Sequence, residues 1–290
     1  MVSELSYADV LSGEWRLKVL AANWNVDLWR HVLDRIRNEL PSKHPRTVAF
    51  RFPDNSAGMH LFLKVYHPRL GVASWKNVLR ESKGFRFLRQ GQELSKAGFR
   101  VPRVIAAGEE RCHQVLGRAF VLTLEIQGEV LPVFLRRNII EFSGGAGFAE
   151  KRKAIEALAR EIRCLHDLGF VHGDLVPSNI MVFRENETTL RFYLMDNDRT
   201  RRYPTWLPQT LWKRNLIQLN RLPLPGISLQ DRMRFFRAYS GRHDWSRGNR
   251  GLLHWIERKT RKRRKECDAA DLEVSFRRLM KWNRRGIDGR

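Results

Sequence analysis

Cysteine is scarce in this chain of 290 residues: Cys112, Cys164 and Cys267 are odd in number and share no metal-type spacing. That pattern argues against a disulfide frame and a zinc module, and fits reduced thiols in a cytosolic setting. Long apolar runs are missing as well. Ala119-Phe120-Val121-Leu122 is typical of the longest, far short of the roughly 20 residues a spanning helix needs, so a soluble or peripheral protein is expected. Met1 to Asp9 has no basic stretch leading into an apolar one, so no signal peptide is expected. There is no internal repeat, and Arg258 to Lys265 is the one low-complexity stretch. Negative charge is the scarce sign: 31 Asp+Glu stand against 54 Lys+Arg, a net +23. A field of that sign draws polyanions, whether nucleic acid, anionic lipid or a phosphorylated substrate, without choosing among them. RNA-binding modules interleave stacking aromatics with a basic face. No such interleaving is present here, which weighs against nucleic acid as a partner.

What is present supports a folded protein. Hydrophobic residues make up 42% of the chain, enough for a core and too many for wholesale disorder. The length fits one large domain or one two-lobed unit. Near the start, Val26, Trp29, Val32, Leu33 and Ile36 fall on one helical face, and the early tryptophans Trp15, Trp24 and Trp29 read as core rather than as a binding platform. Two β-like runs follow, Thr47 to Phe52 and Met59 to Tyr66, joined by the turn-forming Pro53-Asp54-Asn55-Ser56-Ala57-Gly58. A helix is expected from about Trp75 to Ala97, stopped by Gly98. The runs Arg103 to Ala107 and Arg118 to Ile126 complete a small antiparallel sheet. Beyond Gly128 the pattern turns helical, with Ile155, Leu158, Ala159, Ile162, Leu165 and Leu168 on one face and Gly169 as the stop. Two short strands, Ile180 to Phe183 and Leu190 to Met195, carry polar residues at both ends. The expected architecture is α+β and bilobal: residues 1–125 a small β-rich lobe with one helix, residues 126–290 a mainly helical lobe with basic C-terminal helices.

The polar ends of those strands carry the chemistry. Phosphoryl transfer needs a carboxylate to orient the attacking hydroxyl, ligands for Mg²⁺, and a cation on the nucleotide phosphates. Mg²⁺ keeps several waters, so one carboxylate and one amide oxygen suffice from the protein. Asp174 sits on a loop before a strand, Asn179 follows five residues on, and Asp196 follows the second strand. The set His172-Gly173-Asp174-Leu175-Val176-Pro177-Ser178-Asn179, followed by Leu194-Met195-Asp196-Asn197-Asp198, resembles the catalytic and metal loops of kinase-fold phosphotransferases. With arginine after the second aspartate, it is similar to the lipopolysaccharide kinase family that phosphorylates Kdo or heptose in the inner core. The stretches Phe62 to Pro68, Ala97 to Gly108 and Arg214 to Leu222 agree with that family.

The resemblance implies ATP and Mg²⁺ as cofactors, with Asp174 as catalytic base and Asn179 and Asp196 as metal ligands. It implies that Lys64 contacts the α/β-phosphates and that backbone groups of Glu125 and Ile126 face adenine. His172 braces the loop, and Asp198 and Arg199 steady the metal loop. It also implies an anionic glycolipid substrate (lipid A–core), met peripherally at the cytoplasmic face of the bacterial inner membrane. No glycine-rich phosphate loop precedes Lys64, since Phe52 to Gly58 holds one glycine. For the glutamate that pairs with Lys64, Glu81 is the first candidate and Glu93 the second. Val176 stands where protein serine/threonine kinases carry lysine, which argues against a protein acceptor. Two alternatives stay open: a kinase of small soluble alcohols of the aminoglycoside or choline type, and a non-catalytic pseudokinase that binds membrane or nucleic acid.

Overall fold

The computed structural model describes residues 6–38, 46–52, 59–68, 81–140, 145–186, 189–206, 210–220, 227–241 and 247–271. The chain forms two compact units, Met1–Gln127 together with Leu194–Arg199, and Gly128–Tyr193 together with Thr200–Arg290. The turn-forming segment Pro53 to Gly58 and the first turns of the helix expected from about Trp75 lie outside the described residues.

The first unit is built on a six-stranded antiparallel sheet. Its strands are β1 (Tyr7–Ser12), β2 (Trp15–Leu20), β3 (Arg46–Phe52), β4 (Met59–Tyr66), β5 (Val104–Cys112) and β6 (Val115–Leu124), in the spatial order β1-β2-β5-β6-β4-β3. The expected β3–β4 hairpin pairs Thr47 with Lys64. The β1–β2 hairpin precedes the helical face expected at Val26 to Ile36 and has no counterpart among the expected strands. Its alternation of Trp15, Leu17 and Val19 with Arg16 and Lys18 is the period of a strand with one buried face, and all three apolar residues are buried.

Period-two alternation sorts the sheet's two faces. Leu61, Leu63 and Val65 of β4 join Phe120 and Leu122 of β6 and Leu28, Val32 and Ile36 of helix α1 (Val26–Asn38) in one cluster. Trp15 packs there edge-on to Trp29, 5.8 Å between ring centroids, so the early tryptophans that are described serve as core. Val26, placed on the apolar face by its spacing, is instead 65% exposed. It is the first helical residue, just after Asn25, whose side chain caps the helix by accepting from Leu28 N at 2.7 Å. On the opposite face Tyr66, Ala119 and Val121 meet Phe85, Phe87 and Leu88 of helix α2 (Lys83–Lys96). Lys64 is two residues from Tyr66 and so shares its face.

Ser82 opens α2 by accepting from Phe85 N at 3.1 Å. Gly84 lets the helix sit close on the sheet, since a Cβ there would overlap the Phe120 carbonyl oxygen. The stops expected at Gly98 and Gly169 both adopt left-handed backbone, φ +90° and +82°.

The second unit is mainly helical, with α3 (Leu131–Ile140), α4 (Gly145–Asp167), α5 (Trp212–Asn220), α6 (Leu229–Ser240) and α7 (Arg247–Asp271). Two small sheets support its loops. One orders β7 (Glu129–Val130), β9 (Ile180–Arg184) and β10 (Leu190–Leu194) as β10-β9-β7; the other pairs β8 (Phe170–Val171) with β11 (Arg201–Arg202). The expected apolar face of α4 is in place, with Ile155, Leu158, Ala159, Ile162 and Leu165 buried. A buried ion pair ties α4 to α6, Lys151 Nζ to Asp231 Oδ2 at 2.9 Å. Burial pushes the Asp231 carboxyl up, but hydrogen bonds from Lys151 and Ser228 overcome it and leave the pKa lowered. Among the described residues no helix is long and apolar enough to cross a membrane.

Candidate active site

In the first unit, two residues far apart in sequence meet. Lys64 Nζ lies 2.5 Å from Asp196 Oδ1, with the two side chains 19% and 28% exposed. β4 delivers Lys64 from the sheet face that α2 covers. Asp196 arrives on the segment Leu194–Arg199, anchored by Leu194 N donating to the Arg100 carbonyl at 2.9 Å. Asn197 Nδ2 closes the turn by donating to the Leu194 carbonyl at 3.1 Å. Asp196 holds φ +58° in that turn, a backbone region that costs a residue bearing a side chain and gathers at functional sites.

A second carboxylate deepens the site. Asp198 is buried, and its pKa is raised, first by burial and then by the neighbouring Asp196 charge, against the pull of Lys64, Lys83 and Arg199. The Tyr66 hydroxyl is pushed well above its ordinary value by burial, Asp198 and Asp196. Lys64 and Lys83 each place Nζ over the Tyr66 ring, at 5.5 and 5.4 Å from its centroid. A buried carboxylate whose proton affinity is raised by burial and by a neighbouring carboxylate is chemistry a divalent cation relieves. The described residues hold no cluster of three metal-ligating side chains.

In the second unit, Asp174 precedes a 3-10 turn, Pro177–Asn179, that leads into β9. The Asp174 carbonyl accepts from Val176 N at 2.9 Å and from Asn179 Nδ2 at 3.0 Å. With its NH₂ committed to the loop, the Asn179 side chain has its oxygen to offer a metal. His172 is fully buried, and its carbonyl accepts from Thr200 Oγ1 at 3.4 Å.

The other expected site residues stand as follows. Glu81 is held by Arg89, with Arg89 Nη2 at 2.8 Å from Glu81 Oε2. The carboxylate partner of Lys64 in this structure is Asp196 rather than Glu81. Glu81 precedes α2 instead of lying on it, and α2 meets the sheet through Gly84, where no side chain fits. Glu125 N donates to the His60 carbonyl at 2.9 Å, continuing the β4–β6 pairing. Ile126 follows just beyond β6. Sequence reasoning missed Tyr66 and Lys83, whose alignment over one ring depends on the β4–α2 packing. It also assigned no role to Asn215 and Gln218 of α5, which carry hydrogen bonds to the Asp174 loop. Their signal was two amides three residues apart in a helix that otherwise shows apolar residues inward.

Comparison with known proteins agrees with this geometry. The chain matches the lipopolysaccharide kinase (Kdo/WaaP) family over residues 27–239. None of the curated proteins matches it. Among solved structures it is similar to WaaP in complex with acyl carrier protein, at 23% identity and a TM-score of 0.58, covering 88% of this chain and 99% of that one. A divergent kinase lacking the glycine-rich loop, which regulates membrane ultrastructure of the Toxoplasma parasitophorous vacuole, aligns at 13% identity over 82% of this chain and 77% of its own. Its TM-score of 0.38 contributes nothing to the assignment. The fold is kinase-like, and the family match takes in Lys64, Asp174, Asn179 and Asp196; the chain is therefore a kinase and belongs to the lipopolysaccharide kinase (Kdo/WaaP) family.

Proposed function

We propose that the protein transfers the γ-phosphate of ATP to a sugar hydroxyl, on Kdo or heptose, of the lipopolysaccharide inner core. The observation that carries this reading is the Lys64–Asp196 ion pair, which joins residues 132 apart in sequence beside a second buried carboxylate. Bound ATP with Mg²⁺ supplies the phosphoryl group and the divalent charge that offsets its oxygens. Asp196 and the oxygen of Asn179 would hold the metal, and Lys64 would contact the α/β-phosphates. Backbone groups of Glu125 and Ile126 meet the adenine. Asp174 orients the acceptor hydroxyl and takes up its proton. Val176, apolar two residues after Asp174, leaves neutralisation of the acceptor's charge to other cations, in keeping with a glycolipid rather than a protein acceptor.

The net charge of +23 supports peripheral residence at the anionic cytoplasmic face of the inner membrane, where such an acceptor is met. The test is transfer of labelled γ-phosphate to Kdo–lipid A and its heptosylated form by the wild type and by Asp174→Asn. The wild type is expected to label the glycolipid and the variant to lose at least about 100-fold in rate. Equal rates would remove Asp174 from the chemistry, and transfer to small soluble alcohols alone would favour the second kinase reading. Family membership sets the non-catalytic reading aside.

A partner reading rests on a separate observation. The second unit holds an apolar cavity of 390 Å³ lined by Leu131, Leu135, Leu158, Leu216, Phe236 and Ile256, with Arg232 and Arg261 also on its wall. Its chemistry suits an acyl chain, and an acyl carrier protein is the matching partner type, as in the complex of the structural relative. Acyl-loaded carrier protein is expected to bind in pull-down and calorimetry where the unloaded form does not; indifference to the acyl chain would refute the cavity's role.

A further inference from the structure

We propose that Asn215 and Gln218 are positioning residues for the reaction, gripping the backbone on both sides of Asp174 so that its carboxylate is presented in one place. The proposal rests on the reading of Asp174 given above.

The two amides lie three residues apart on α5 and so share a face. Gln218 Nε2 donates to the Gly173 carbonyl at 2.8 Å, and Gln218 Oε1 accepts from Leu175 N at 3.1 Å. One primary amide thus bonds the residue before Asp174 and the residue after it, as a neighbouring strand's peptide would. Asn215 holds the loop one step earlier, with Oδ1 accepting from His172 N at 3.0 Å. Its Nδ2 donates to Gln218 Oε1 at 2.9 Å, which couples the two grips.

A third tier fixes Asn215. His166 Nε2 lies 3.2 Å from Asn215 Oδ1, and His166 Nδ1 lies 2.8 Å from the Tyr239 hydroxyl. Burial pulls the His166 pKa down to about 4, so the ring is neutral near pH 7. Nε2–H then donates to Asn215, and Nδ1 accepts from Tyr239 O–H, whose own pKa burial raises. One orientation of both amides satisfies every contact: a flipped Asn215 would point its NH₂ at two donors.

Stability does not require this polarity. Asn215 is fully buried, and a buried amide costs free energy unless its hydrogen bonds are made. Leu216 beside it already supplies α5 with apolar burial. What the amides add is directed at three peptide groups around one carboxylate.

The experiment measures kcat and KM for ATP, with Kdo–lipid A as acceptor, together with thermal unfolding, in Gln218→Leu, Asn215→Leu and Gln218→Glu. Since displacement of a reacting group by about 1 Å costs on the order of 100-fold, Gln218→Leu and Asn215→Leu are expected to lose about 10- to 100-fold in kcat per folded molecule, with KM for ATP within about twofold. Gln218→Glu keeps the acceptor for Leu175 N and loses the donor to Gly173, so its kcat falls between wild type and Gln218→Leu. Should the leucine variants not fold, Gln218→Glu decides alone: a lowered kcat at unchanged KM for ATP supports the grip. Wild-type kcat per folded molecule in these variants overturns it, as does a loss accounted for by the unfolded fraction. A wild-type rate in Asp174→Asn strikes instead at the reading of Asp174 itself.

Discussion

Asp196 joins backbone strain and the ion pair with Lys64 in one residue. Its φ of +58° costs a residue with a side chain roughly 1 kcal/mol, which glycine does not pay. Asp196→Gly relieves that strain and the repulsion with Asp198, while losing the ion pair with Lys64 and gaining unfolded-state freedom. Because these terms oppose one another, its stability to urea is expected within about 1 kcal/mol of wild type, while phosphoryl transfer is lost. A variant that keeps its turnover would show that the Asp196 carboxylate has no part in the reaction. The placement of Asp174 and Asn179 on a loop before one short strand, and of Asp196 just after the next, was legible in the sequence because loop spacing between short strands is a local signal. The partner of Lys64 was not. No local pattern shows that α2 comes to the sheet on Gly84, leaving a carboxylate from residue 196 as the group beside Lys64.

At the level of elements, the junction of α4, α5 and α6 carries a pH dependence. His166 on α4 has its pKa drawn down to about 4 from the ordinary 6.5, chiefly by burial. As pH falls, the unfolded chain takes up this proton before the folded one does. The His166 contribution is therefore fully present above about pH 6.5 and is lost progressively down to about pH 4, roughly 3 kcal/mol in all. Denaturation in guanidinium at pH 7 and pH 5 checks this, with His166→Gln expected to show the shallower loss on acidification. An equally steep loss in that variant would assign the acid sensitivity to other groups. Helices with one apolar face, such as α4, and the β3–β4 hairpin were readable from periodicity. The β1–β2 hairpin was not, because its strands are six residues each, too short for their alternation to decide the element.

Taken whole, the molecule is a strongly charged one whose acceptor, on the reading above, lies in an anionic membrane. Binding to vesicles containing anionic lipid is expected to weaken steeply between about 0.1 and 0.5 M salt, as the screening length falls from about 10 Å to about 4 Å. Neutral vesicles are expected to retain little protein at either salt. Binding that ignores both salt and lipid charge would rule out the electrostatic account. Charge of this kind was plain in the composition, yet composition could not say how the chain divides.

The division has a consequence for how the protein is made. The first unit takes its last segment, Leu194–Arg199, from beyond Gly128–Tyr193. On a ribosome, the sheet and both its helices emerge long before Asp196 does. Until then Lys64 has no carboxylate from that segment beside it, and the Arg100 carbonyl lacks the Leu194 amide that it later binds. The nascent first unit must stay open to a latecomer, and the ion pair of the site forms only after much of the second unit has been translated.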